Sequence, residues 1–162
     1  MLLIQHKIFV FISDIDIKII RIFSLLTALI VSLYGVQIED VYPKNNYHQS
    51  YNEALQKAKN ENKPLILIMV AKNCKWCKKF ENATLADKNI ATKIDKNFIS
   101  IIVDKEDDKE SYPSKFYPSM VPTIYFINPN NENIFYKDVG YIDVNDYSSE
   151  LDTALTKFKK LN

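Results

Sequence analysis

Apolar positions along this chain change their period several times, and each change predicts an element. Tyr51, Ala54, Leu55 and Ala58 recur at helical spacing after Ser50. Ser50 and Glu53 have the spacing of a capping box, and Asn62-Lys63-Pro64 closes the helix. Leu65 to Val70 is then apolar without alternation, as in a central strand covered on both faces. A helix is expected from Cys74 or just after it to about Leu85. A second starts behind Asp87, with Ile90, Ala91 and Ile94 on its apolar side. Phe98 to Val103 reads as a buried strand, and Tyr112 to Met120, with two prolines, as irregular chain or a short helix. Thr123–Ile127 and Ile134–Val139 flank the turn signal Asn128-Pro129-Asn130-Asn131 and read as a hairpin. Asp143 or Asp146 caps a last helix whose apolar side carries Val144, Tyr147, Leu151, Ala154, Leu155 and Phe158. The order predicts an α/β domain. A parallel strand–helix–strand unit and an antiparallel hairpin share one mixed four-stranded sheet, with helices on both faces.

The first 35 residues break this pattern. Met1 to Ile17 is apolar but interrupted by Asp14 and Asp16; Lys18 and Arg21 then precede the uncharged run Ile22–Tyr34, with Gly35 behind it. A basic stretch followed by a short apolar one is the pattern of a signal peptide. The run is short beside the roughly 20 apolar residues of a membrane span. Residues 1–35 are therefore expected to be a signal peptide or an uncleaved membrane anchor, with a buried helix as a third reading. Residues 36–49, containing Pro43, read as a linker, and 50–162 as the folded domain.

Composition narrows the function. The 162-residue chain has a formal net charge of +1, and from Val36 onward 18 basic residues face 18 acidic ones, which gives no argument for nucleic acid as a partner. Two glycines are too few for a Gly-rich phosphate loop. The acidic run Asp104–Glu110 lacks the glycine and ligand spacing of a calcium loop and reads as a solvated loop.

The two cysteines sit together as Cys74-Lys75-Trp76-Cys77, where a strand hands over to a helix. A helix N-terminus stabilises negative charge and lowers a thiol pKa, so Cys74 is the expected nucleophile, with Lys75 and Lys72 adding positive potential. Cys77, almost one turn on, can resolve a mixed disulfide. Trp76 suits a docking surface. Zinc needs about four ligands, and only His6 and His48 join the cysteines, so no metal is expected. Covalent haem attachment needs His where Lys78 stands. Two incidental core cysteines remain the bland alternative.

The strand, the CxxC helix and Val121-Pro122-Thr123 ahead of a hairpin together resemble the thioredoxin superfamily, most nearly its exported bacterial members. Glu61-Asn62-Lys63-Pro64 before the first strand, Cys-x-Trp-Cys-Lys and Gly140-Tyr141 carry that likeness. The resemblance implies a thioredoxin fold and a redox-active Cys74–Cys77 disulfide. It also implies a cis Pro122 beside that disulfide, and a Val121 backbone that pairs with substrate as an added strand. The ordinary alternative for Pro122 is a trans proline opening a strand. The chain departs from thioredoxin in two ways. Lys75-Trp76 replaces Gly-Pro between the cysteines, and Ile68 stands where thioredoxin has a buried acid. Related folds span about −270 to −120 mV, so the direction of electron flow stays open.

The expected activity is therefore thiol–disulfide exchange, chiefly reduction of disulfides in exported proteins, by a monomer without a cofactor. The implied setting is the periplasm, with inner-membrane anchoring if the leader is retained and a membrane thiol-transfer protein as electron donor. The alternatives are a disulfide oxidase or isomerase, and a non-catalytic binding module or copper chaperone.

Overall fold

The computed structural model describes residues 50–161; the expected leader, and the linker before Ser50, lie outside them. Helix α1 (Tyr51–Glu61) starts on Ser50, whose Oγ accepts the Glu53 N–H at 3.2 Å, and ends on Asn62 in the left-handed region at φ 49°. Strand β1 (Leu65–Val70) leads through Cys74 into α2 (Lys75–Lys79), which widens into a π-helical turn over Phe80–Leu85. Helix α3 (Lys88–Asn97) is capped by Asp87, whose Oδ1 accepts two backbone N–H groups. Strand β2 runs Ile99–Asp104, one residue later than its hydrophobic pattern predicts, because Phe98 is the C-cap of α3 and is buried there. Two short 3-10 turns, Lys109–Ser111 and Ser114–Phe116, fill the irregular stretch. Strands β3 (Thr123–Ile127) and β4 (Ile134–Val139) form the hairpin, and α4 (Val144–Lys159) is capped by Asp143.

The sheet order is β2-β1-β3-β4, with β1 parallel to β2 and antiparallel to β3, and β3 antiparallel to β4. Central position explains the unbroken apolar run of β1, since alternate residues enter different cores. Leu65, Leu67 and Met69 pack with Tyr51, Leu55 and Phe116 on the α1 face. Ile66 and Ile68 pack with Phe80, Ile94, Phe126, Tyr147 and Leu151 on the opposite face. Strand β4 is an edge and mixes half-buried with exposed positions, Phe135 and Tyr136 both being half-buried. This arrangement places the C-terminal end of β1, the start of α2 and the start of β3 together: Met69 pairs with Thr123, and Val121-Pro122 lies just beyond that pair.

The acidic run is a solvated loop, as its sequence implies. Asp104 Oδ1 accepts the N–H groups of Glu106 and Asp107, and Asp108 Oδ2 accepts that of Asp104. The carboxylates thus hold the turn after β2.

Candidate active site

Cys74 occupies the N-cap of α2 in extended backbone (φ −88°, ψ 106°), and its sulfur accepts the backbone N–H of Cys77 at 3.0 Å. The two cysteines are joined by a disulfide with their Cα atoms 5.2 Å apart. They are not equivalent. Cys74 is half-buried and Cys77 is 1% exposed, so a partner can reach only the first sulfur without moving the helix.

The Val121 carbonyl oxygen stands 3.7 Å from Cys74 Sγ. In the disulfide this is a contact, since the sulfur has no proton to donate. The Val121–Pro122 peptide bond is cis. Pro122 is buried and its carbonyl accepts the Gly140 N–H at 2.8 Å, which ties the β3 entry to the end of β4. Val121 is half-buried at the sulfur, with Met120 beside it 59% exposed.

Trp76 is 54% exposed and faces away from the core. It does not stand alone, because the Tyr141 ring lies 5.9 Å from it. The Lys79 ammonium sits 4.1 Å from the Tyr141 centroid and 5.4 Å from that of Trp76. Such cation–π contacts hold an amphipathic platform together. A part-buried hydrogen bond fixes it from below: Thr84 Oγ1 donates to the Ile142 carbonyl at 2.6 Å, binding the π-turn of α2 to the segment after β4. Tyr141 and Lys79 join the candidate site; Gly140-Tyr141 carries part of the family likeness, but nothing in the linear pattern sets Tyr141 or Lys79 against Trp76. Tyr141 is 65 positions from Trp76, and only its place after Gly140, at φ 94°, marks it.

Lys75 is exposed and enters no ion pair among the described residues. Lys72 meets Asp107 at 3.7 Å, but both side chains are largely exposed, so the pair is weak. Ile68 is fully buried, so no carboxyl stands at the thioredoxin position. In the sheet register it lies level with Ile124, and Ile124 with Asp138 on β4. Asp138 is the nearest acid along that row, two strands away. Burial pushes its carboxyl up to about 6, helped by the charge of Glu150 and opposed by Lys157. Burial also raises Glu81, on the π-turn.

A family model described as a thioredoxin-like domain matches residues 51–155. The chain belongs to the thioredoxin-like family. Among solved structures, the DsbH oxidoreductase is similar at a TM-score of 0.56 and 19% identity, over 75% of this chain and 94% of that one. A thioredoxin from Thermus thermophilus is similar at 0.60 and 18%, over 67% of this chain and 86% of that one. These likenesses concern the fold. Of curated proteins, spermatogenesis-associated protein 20 of Rattus norvegicus is 38% identical over 55 residues, 34% of this chain and 7% of that protein. Anterior gradient protein 2 of Xenopus laevis is 32% identical over 83 residues, 51% of this chain and 43% of that protein. The chain thus spans less than half the length of either curated relative.

Proposed function

We propose that this protein is a thiol–disulfide oxidoreductase that works through Cys74 and Cys77. The carrying observation is the asymmetry of the pair: an accessible Cys74 at a helix start with an amide aimed at its sulfur, and a shielded Cys77 behind it. In the reducing direction, the Cys74 thiolate attacks one sulfur of a partner disulfide. The partner's other sulfur leaves as thiolate and takes a proton. Cys77 then loses its proton and attacks the Cys74 sulfur, breaking its bond to the partner; the partner's second sulfur leaves as thiolate and takes a proton, so the pair is oxidised as the partner is reduced. Val121 offers backbone to an extended partner chain, and Trp76 a surface for its side chains.

The reading extends to the cell. An apolar leader at residues 22–34, ahead of a linker and the domain at 50–162, supports export, with disulfides of exported proteins as substrates and a membrane thiol-transfer protein as electron donor. The word oxidoreductase in the name of the DsbH structure agrees with the exchange activity and says nothing of export. Among the described residues no helix is long and apolar enough to cross a membrane.

The test is a pair of variants of the full chain. Cys77→Ser should accumulate a mixed disulfide on Cys74 with its partner, and Cys74→Ser should lose exchange altogether. Full activity in Cys74→Ser, or stoichiometric copper on protein purified under reducing conditions, would overturn the reading. Alkylation trapping in cells gives the direction: a reductase is held mostly as dithiol, an oxidase mostly as disulfide.

A further inference from the structure

Charge around the disulfide is one-sided. Residues 71–79 carry Lys72, Lys75, Lys78 and Lys79 and no acid, whereas the rest of residues 50–162 holds 13 basic and 16 acidic residues. All four lysines are exposed. Among the described residues, no carboxylate lies within ion-pairing distance of Lys75, Lys78 or Lys79. The acidic loop after β2 meets this rim at Lys72, beside Asp104 and Asp107, and no ion pair among the described residues joins it to Lys75, Lys78 or Lys79. Its Asp104 and Asp108 bind backbone amides, Glu106 accepts the Tyr117 hydroxyl and pairs with Lys105, and Asp107 faces Lys72. Lys79 is further held over the Tyr141 ring, beside Trp76, so one charge of the rim has a fixed place.

Resting on the exchange activity proposed above, we propose that the partner's cysteine lies in an extended segment flanked by acidic residues. The segment runs along Val121 with an apolar side chain against Trp76, and its carboxylates lie over the lysines of α2. The lysines speed encounter with such a chain and repel a basic one, as charges at the edge of an interface do. They also offset the repulsion between an anionic segment and the Cys74 thiolate. The sulfur chemistry is unchanged: one S–S bond forms on Cys74 as another breaks in the partner, and Cys77 completes the exchange.

The experiment uses the full chain, reduced, and three peptides that share one intramolecular disulfide and differ only in acidic, neutral or basic flanking residues. Rates are compared at about 10 mM and about 1 M salt, where screening lengths are roughly 30 and 3 Å. The acidic peptide is expected to react about tenfold faster than the neutral one at low salt and the basic one more slowly still, with the differences collapsing at high salt. Lys78→Glu/Lys79→Glu should reverse the order, and Lys78→Gln/Lys79→Gln should flatten it; the readout is the ratio between peptides, so a general change in rate does not disturb it. Equal rates for the three peptides, or an acidic preference that survives charge reversal, would overturn the inference while leaving the exchange activity standing. Failure to reduce any of the three would remove both.

Discussion

At the scale of single residues, two groups carry testable chemistry. The Cys77 amide and the start of α2 act on the Cys74 sulfur alone, since Cys77 lies inside the helix. Reduced protein should therefore alkylate first at Cys74, with a midpoint below the ordinary thiol value of about 8.5. The pH profile of iodoacetamide labelling, read by mass spectrometry, checks this; equal labelling of both thiols would contradict it. Asp138 works the other way. Its Oδ2 is buried without a hydrogen-bond partner, and its carboxyl is raised from 3.8 to about 6. The charged groups facing it are Glu150, itself bonded to the Tyr136 hydroxyl, and Lys157, which lies 4.2 Å over the Tyr136 ring. Between about pH 4 and 6 the folded chain keeps a proton there that the unfolded chain has released, so this group's contribution to stability falls as pH rises through that window. Asp138→Asn should raise stability at pH 7.5 by roughly 1 kcal/mol, after allowance for partial exposure. It should also flatten this part of the pH dependence in urea unfolding. A loss of stability at pH 7.5 would show that the carboxylate is better paired than its burial implies.

At the scale of elements, the site depends on how α2 is braced. Phe80–Leu85 departs from α-helical bonding just after the cysteines, and Thr84 uses that turn to reach the Ile142 carbonyl. Thr84→Val keeps the shape and takes the donor from a part-buried carbonyl, at a cost of about 1 kcal/mol. Equilibrium unfolding should show that loss, and the fluorescence of Trp76, the single tryptophan, should shift as Tyr141 loosens. Unchanged fluorescence would mean that the platform is held by Lys79 alone. The same region marks the limit of what a linear pattern reveals. The β1 run, the Asp87 and Asp143 caps and the hairpin turn are local signals, and each sits where its residues imply. The contact between Trp76 and Tyr141 depends on long-range packing, and the π-turn has no compositional mark. The half-burial of Asp138 arises because β4 is an edge strand under α4, and alternation alone does not say which polar position is covered.

At the scale of the molecule, both cores are assembled from one stretch of chain. The α1-face cluster takes its described members from Tyr51 to Ile127, and the other cluster from Ile66 to Leu155. Each contains residues of the central strands β1 and β3, so the two faces cannot come apart without breaking the sheet between them. A domain of roughly 110 residues with two such cores is large enough to fold unaided and to unfold in one step. Residues 50–162 expressed alone should therefore melt in a single cooperative transition and exchange disulfides at the rate of the full chain. The comparison uses the neutral peptide disulfide, whose rate carries no flanking-charge contribution. A broad, non-cooperative melt would show that residues before Ser50 complete one of the cores. A cooperative melt with slowed exchange would instead place part of the substrate surface in the preceding segment.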